Sequence, residues 1–376
     1  MTGYRNPFEG QREPLPPALA KAGFRQEFAQ FDGVLISYVR GPEAGVPLLL
    51  VPGQMSLWSS YRRVMARLAR RFTVYAIDVR GHGNSSWTPG DYSWDSAGTD
   101  LARFLRQVVG RPAIVSGNSS GGILALWCAS RVPEHVAAIV LEDPPIFSVE
   151  MPRFRDRDRW VYGSLAHTVK VLGDLDHQRV TDIYRQEIPV AETKTIRMPD
   201  RFVDFLDRRV TRYRRRHPDR PASLGVRWLP RSLDEVIRAA SMFDPDFARA
   251  FLDGRFYGDF SHEAALQTTT CPVLLLHANW NWYERYGLVG AMDDEDARRV
   301  RQLAPQTVYR RIDAKHVIHN DKPHTFVAAV TDFADKLPFS GLSEALNANE
   351  RRSQRPCEIA WIGEDHRGRE GRVSQR

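Results

Sequence analysis

Short apolar runs alternate with longer stretches of helical spacing along most of the chain. Residues 47–51 (PLLLV), 73–77 (TVYAI), 113–115, 137–141 (AAIVL) and 273–276 (VLLL) are nearly continuous in aliphatic side chains, the pattern of strands buried on both faces. Between them, 61–70, 96–109 and 121–131 carry helical patterns, the last with Ile123, Leu124, Trp127 and Cys128 on one side. Strand alternating with helix predicts right-handed crossovers and a parallel sheet. Residues 24–39 alternate instead around Phe31-Asp32-Gly33, a hairpin signal, and 307–312 forms a last strand-like run. From Pro144 to Thr270 the rhythm breaks into polar, Arg-rich and aromatic segments punctuated by Pro199, Pro218, Pro221, Pro230 and Pro245. A stretch that long between two strands predicts a helical insertion.

Boundaries follow from these patterns. A Pro-rich, loosely held extension is expected over 1–22, the first part of a core over 23–143, a helical cap over 144–270, the second part of the core over 271–340, and a disordered tail over 341–376, where apolar residues are few.

Composition narrows the function classes. The 376 residues are 42% hydrophobic and 26% charged, which suits a globular chain. Neither a signal-type apolar segment nor eighteen apolar residues in a row occurs, so a cytoplasmic protein without a membrane partner is expected. Cys128, Cys271 and Cys357 are scattered and odd in number, against a disulfide framework or a thiolate metal site. Cys128 and Cys271 are expected to be small buried residues. The net charge of +7 is concentrated: between Arg197 and Arg231 eleven Arg face four Asp, a surplus equal to that of the whole chain. Because Phe202, Phe205, Leu206 and Val210 recur there at helical spacing, a solvated helix face is expected rather than a nucleic-acid site.

The candidate chemistry begins at Ser116-Gly117-Asn118-Ser119-Ser120-Gly121-Gly122, between a strand-like run and a helical one. Gly117 and Gly121 flank Ser119 as G-x-S-x-G, a strand-to-helix turn in which glycine permits close backbone approach and the serine stands at the apex. The N–H of Ser120, at the helix start, is then an oxyanion donor, and the Gln54 N–H of the Val51-Pro52-Gly53-Gln54 loop is the expected second one. A serine nucleophile needs a base, and the base needs an orienting acid. His316 comes first in the loop after the last strand-like run and is favoured over His319, whose plainer reading is a loop or capping contact. His82 and His277 are expected to shape loops. For the acid, Glu142 closes the run 137–141 and is favoured; Asp143, held extended before Pro144, is the alternative. Gly53, Trp58 and Trp280 are expected at the substrate pocket, with Trp160, Trp228 and Trp282 as further aromatic candidates.

These residues, together with Asp78-Val79-Arg80-Gly81-His82-Gly83-Asn84-Ser85, resemble the α/β-hydrolase superfamily over about residues 24–143 and 271–336. Val51-Pro52-Gly53-Gln54, Trp58-Ser59-Ser60-Tyr61, Ser86-Trp87-Thr88-Pro89 with Tyr92-Ser93, GNSSGG and Glu142-Asp143 look like bacterial zearalenone lactone hydrolases. The resemblance implies a mostly parallel eight-stranded sheet flanked by helices, with a helical cap after strand six. It also implies an acyl-enzyme mechanism with Ser119, His316 and Glu142 as triad, no cofactor, and a small-molecule ester or lactone as partner. It leaves a homodimer open. Two departures stand out. No carboxylate follows the strand after the insertion, where most of these hydrolases carry their acid, and Pro52 replaces a common His. Serine at the elbow disfavours the Asp-dependent dehalogenase and epoxide hydrolase chemistries. Carbon–carbon bond hydrolysis, a general carboxylesterase and a slow-turnover ligand receptor remain as rival readings.

Overall fold

The computed structural model describes residues 4–173, 179–226 and 228–337; the expected tail, with Cys357, lies outside them. The hairpin forms as β1 (Arg25–Phe31) and β2 (Val34–Arg40), antiparallel from Arg25 opposite Arg40 to Phe31 opposite Val34. Asp32 and Gly33 both take positive φ, 48° and 87°, as a two-residue turn matched to strand twist requires. Then come β3 (Val46–Val51), β4 (Phe72–Ile77), β5 (Ala113–Asn118) and β6 (Val136–Glu142). Inside the insertion, β7 (Ile188–Ala191) and β8 (Lys194–Ile196) pair with each other. Beyond it come β9 (Val273–His277), a separate hairpin of β10 (Asn281–Tyr283) and β11 (Gly287–Val289), and β12 (Thr307–Arg311).

The main sheet has eight strands in the order β1-β2-β4-β3-β5-β6-β9-β12. Pairing is antiparallel for β1–β2 and β2–β4 and parallel from β4 onward. Every residue of β4, β5 and β9 is buried, which is why their sequences are apolar without alternation. Parallel pairing also brings the C-terminal ends of β3, β5, β6, β9 and β12 to one edge, where the loops that follow can meet.

The helices are α1 (Pro17–Lys21), α2 (Arg62–Leu68), α3 (Trp94–Phe104) and α4 (Ser120–Arg131) in the first part of the chain. In the insertion lie α5 (Arg153–Asp156), α6 (Arg159–Leu172), α7 (Asp200–Arg216), α8 (Arg231–Ser241) and α9 (Pro245–Leu252). α10 (His262–Thr268) already packs on α4, so the chain rejoins the core before β9. α11 (Asp294–Leu303), α12 (Ile318–Asp321) and α13 (Pro323–Ala334) complete it. α3 starts two residues before Ser96, because Ser93 and Ser96 form a reciprocal cap, each hydroxyl accepting the other's backbone N–H at 3.0 and 2.9 Å.

The Arg-rich segment is the amphipathic helix α7, with Val203, Leu206 and Val210 buried. Cations ahead of it engage its acidic side chains: Arg185 binds Asp204 at 2.6 Å and Arg179 the same carboxylate at 3.0 Å. Cys128 is fully buried and Cys271 half-buried, and burial pushes the Cys271 thiol up to about 11. No helix among the described residues is long and apolar enough to cross a membrane.

Residues 4–22 differ from expectation. Rather than hanging loosely, the Tyr4 hydroxyl donates to Asp244 at 2.5 Å, and the Asn6 amide donates to the carbonyls of Gly83 and Ser85 at 2.8 and 2.6 Å. Leu19 is buried. The anchors are polar and single, so no hydrophobic period announces them. Asn6→Ala is expected to cost about 1–3 kcal/mol by leaving two buried carbonyls unpaired, read as a lower denaturation midpoint.

Candidate active site

Ser119 stands between β5 and α4 with φ 55° and ψ −127°, a conformation that costs a side-chain-bearing residue about 1–3 kcal/mol. Three neighbours make it possible. A Cβ on Gly117 would collide with the Gly121 carbonyl, one on Gly121 with the Val51 carbonyl, and one on Gly53 would sit 2.8 Å from the Ser119 Cβ. Glycine therefore lets the β3 loop, the β5 end and the α4 start pack together. The Ser119 N–H donates to the Glu142 carbonyl at 3.0 Å, which ties the elbow to β6.

The loop after β3 is held against this elbow. The Gln54 N–H, an expected oxyanion donor, donates in this structure to the Ser120 hydroxyl at 2.8 Å. Met55, at φ 52°, donates its N–H to His82 Nε2 at 3.0 Å. Because that nitrogen accepts, the proton sits on Nδ1 and is given to the Arg80 carbonyl at 3.1 Å. Burial lowers His82 to about 4, so it works as a neutral brace, the loop-shaping part expected of it. Asp78 accepts the Trp58 N–H at 2.9 Å and the Asn84 N–H at 3.3 Å, and burial pushes its carboxyl up to about 7. Most of the motif 78–85 thus serves to shape the wall beside Ser119.

The histidine loop corrects the expectation for the acid. His316 Nδ1 bonds Asp143 Oδ2 at 2.7 Å, whereas Glu142 binds His319, accepting from its backbone N–H at 2.8 Å and from its ring Nδ1 at 2.8 and 2.9 Å. The reason is backbone geometry. Asp143 is not extended before Pro144 but has φ 45°; its N–H donates to the Leu276 carbonyl at 2.8 Å, and its Oδ1 accepts the Ala278 N–H at 3.0 Å. The end of β9, which carries no acid, supplies instead the donor that fixes this one. Asn118, overlooked in the sequence, donates through its amide to the His316 carbonyl at 3.2 Å and the Glu142 carbonyl at 3.3 Å. An amide at the tip of a strand otherwise made of small and aliphatic residues was the available signal. His277 is buried; its Nε2–H donates to the Met292 carbonyl at 3.1 Å, which leaves Nδ1 to accept from the Tyr309 hydroxyl at 3.0 Å.

Ser119, Ser120, Gln54 and His316 line one cavity of about 650 Å³. Its walls are mostly apolar: Val149, Phe154, Val161, Leu165 and Phe251 from the insertion and Val289 from the second hairpin, with Trp160. Among the described residues, Lys315 is the one Lys or Arg along it. The expected pocket residues Trp58, Gly53 and Trp280 do not line it. Trp58 is buried in the loop held by Asp78, Gly53 is covered by Ser119, and the Trp280 indole donates to Asp294 at 3.0 Å. Trp228 is 71% exposed, and Trp282 stacks under Arg157 at 4.6 Å; of the tryptophans weighed in the sequence, Trp160 reaches the cavity.

Burial disfavours the His316 imidazolium, but the hydrogen bond and charge of Asp143, with the charge of Glu142 behind them, outweigh it and hold the ring above its ordinary 6.5. A base must be neutral, so kcat/KM is expected to rise with pH along a limb centred above 6.5. Asp143→Asn should move that limb to lower pH and reduce kcat by about 10³–10⁴, whereas a limb unchanged in Asp143→Asn would exclude this carboxylate as the partner of the base.

The geometry agrees with known proteins. A family model described as the alpha/beta hydrolase fold matches residues 46–323. N-formylmaleamate deformylase of Pseudomonas putida is 25% identical over 307 residues, covering 81% of this chain and 94% of that protein. 3-oxoadipate enol-lactonase 2 of Acinetobacter baylyi is 28% identical over 109 residues, 29% of this chain and 41% of the enzyme. The crystal structure of the enol-lactonase from Burkholderia xenovorans LB400 superposes with a TM-score of 0.57 at 16% identity, covering 82% of this chain and all of that one. With residues 46–323, most of its length, matched, the chain belongs to the α/β-hydrolase fold family.

Proposed function

We propose that the protein is a serine hydrolase of carboxylic esters, with a lactone of the zearalenone type as its substrate. The reading is carried by one arrangement: a strained Ser119 and a His316–Asp143 pair open on the same apolar cavity. Ser119 Oγ attacks the carbonyl carbon while His316 Nε2 takes its proton. Asp143 keeps the ring in the tautomer that leaves Nε2 free and stabilises the imidazolium. The oxyanion is held by backbone N–H groups of Ser120 and Gln54 once the latter turns from the Ser120 hydroxyl. His316 then returns the proton to the leaving alkoxide, and water releases the acid by the same steps.

A macrolactone makes one further demand. Its leaving alcohol stays tethered to the acyl group and can reclose the ring unless it swings aside. A cavity of about 650 Å³ gives room for that, and Trp160 offers a face to an aromatic acyl part.

Amide cleavage is the second reading, favoured by the likeness to N-formylmaleamate deformylase over 94% of that protein. The lining opposes a small anionic substrate, since among the described residues only Lys315 supplies a cation to walls that are otherwise mostly apolar.

The test measures hydrolysis of zearalenone, a short p-nitrophenyl ester and N-formylmaleamate by chromatography, for wild type and Ser119→Ala. Opening of the lactone with loss of about 10⁴-fold or more in the variant is expected. Turnover retained in Ser119→Ala would overturn the nucleophile. Cleavage of N-formylmaleamate alone would favour the amide reading, and of the simple ester alone would leave the triad but remove the lactone.

A further inference from the structure

Two adjacent carboxylates at the end of β6 meet two histidines of one loop, Asp143 with His316 and Glu142 with His319. The first pair faces the cavity. The second is sealed in the protein, with Glu142 at 0% and His319 at 1% exposure.

We propose that Glu142 is a positioning residue for His316, acting through His319 to set where the base stands relative to Ser119. The inference rests on the reading of Ser119 and His316 as nucleophile and base. Glu142 touches both sides of that pair. Its backbone carbonyl accepts the Ser119 N–H at 3.0 Å and the Asn118 amide at 3.3 Å, while its carboxylate accepts both the backbone N–H and the ring of His319. His319 lies three residues beyond His316, at the start of α12. Its ring stacks on Tyr61 with centroids 3.9 Å apart and planes 23° apart, and the Tyr61 hydroxyl donates to the Val51 carbonyl at 3.0 Å. Val51 ends β3, where the Gln54 loop begins. The histidine loop is thereby pinned to the ends of β3, β5 and β6, the three strands that carry the rest of the site.

Chemistry favours a geometric purpose over a stabilising one. A carboxylate–imidazole pair in a dry interior contributes little that well-packed apolar residues would not, and His319 Nε2 finds no hydrogen-bond partner among the described residues. What the pair supplies is direction: two hydrogen bonds from one residue admit a single placement of the loop. A base displaced by about 1 Å costs on the order of 10²-fold in rate.

The test uses the full chain with Glu142→Ala, Glu142→Gln and His319→Phe, a p-nitrophenyl ester as substrate, and titration by a fluorophosphonate to count competent sites. His319→Phe keeps the Tyr61 stack and the backbone N–H and loses only the ring bond, so it serves if the Glu142 variants do not fold. In Glu142→Ala, kcat per titrated site is expected to fall about 10²-fold with KM nearly unchanged. Glu142→Gln, which can still accept the His319 N–H, should recover about tenfold of that loss. Fewer titratable sites with wild-type kcat per site, in any of the three variants, would mean that the pair only stabilises the fold and would overturn the proposal. Failure of the underlying reading looks different: His316→Asn would remain active while His319→Phe became as inactive as Ser119→Ala.

Discussion

A serine forced into a left-handed backbone conformation is the constraint on which the rest of this structure turns. At φ 55° and ψ −127°, Ser119 can persist only where its surroundings leave no alternative. Glycine at 53, 117 and 121 removes the Cβ atoms that would part the three converging segments, and the Glu142 carbonyl fixes the Ser119 N–H from the neighbouring strand. The start of α4 then lies directly behind the hydroxyl, with the N–H groups of its first turn and the positive end of its dipole. Strain at one residue is thus compensated by the sheet, whose parallel pairing of β3, β5 and β6 is fully buried at this edge.

How much of this was legible in the sequence follows from what kind of force set each part. The strands of the main sheet read correctly to within a residue or two at most ends, since a sheet buried on both faces imposes unbroken aliphatic runs, whereas the short pairs β7–β8 and β10–β11 carry no such run and went unread. The elbow read correctly because steric collision at Gly117 and Gly121 leaves only glycine. The acid did not. Alternation along a strand predicts that the last residue of β6 points to the edge and that a pre-proline residue is extended, yet tertiary hydrogen bonds with Leu276 and Ala278 hold Asp143 at φ 45° and aim it at His316. Both bonds come from the far side of an insertion well over a hundred residues long, so no local pattern could report them. Trp280 failed for a related reason: which face a lone indole presents depends on the partner of its N–H, and for Trp280 that partner is Asp294.

The motif 78–85 shows how a neutral buried network can support a charged reaction beside it. His82 accepts from Met55 only while unprotonated, and burial keeps it so, at about 4. Phe243 and Phe247, with ring centroids 4.9 and 4.7 Å from its imidazole, supply that dry environment from the insertion. Arg80 is meanwhile neutralised by Asp100 at 2.6 and 2.8 Å. Asn6 closes the far side of the turn through Gly83 and Ser85. The N-terminal residues, the motif and the insertion are therefore one support for the Gln54 loop, which explains why a polar and unperiodic segment near the chain's start is ordered.

Reaction and selection are consequently built from different material. On the proposed reading, Ser119, the N–H groups of Ser120 and Gln54, and Asp143 hang from the ends of β5, β3 and β6, whose positions are fixed by ladder hydrogen bonds, and a substitution there is expected to change whether the reaction runs. The cavity walls come from α6, α9 and the loop before α5, where side chains meet through apolar packing that tolerates exchange of shape at roughly constant volume. A hydrophobic wall discriminates weakly, about 1–3 kcal/mol for each methylene added or removed. A protein that selects by such walls does so through the summed outline of its substrate, and Lys315 beside His316 is the one cationic point on that outline among the described residues. Large apolar esters would be stabilised by every wall residue, whereas a small carboxylate anion would meet one cation and lose its hydration to the rest. The cost of that lost hydration, more than any single hydrogen bond in the site, separates the lactone reading from the amide one.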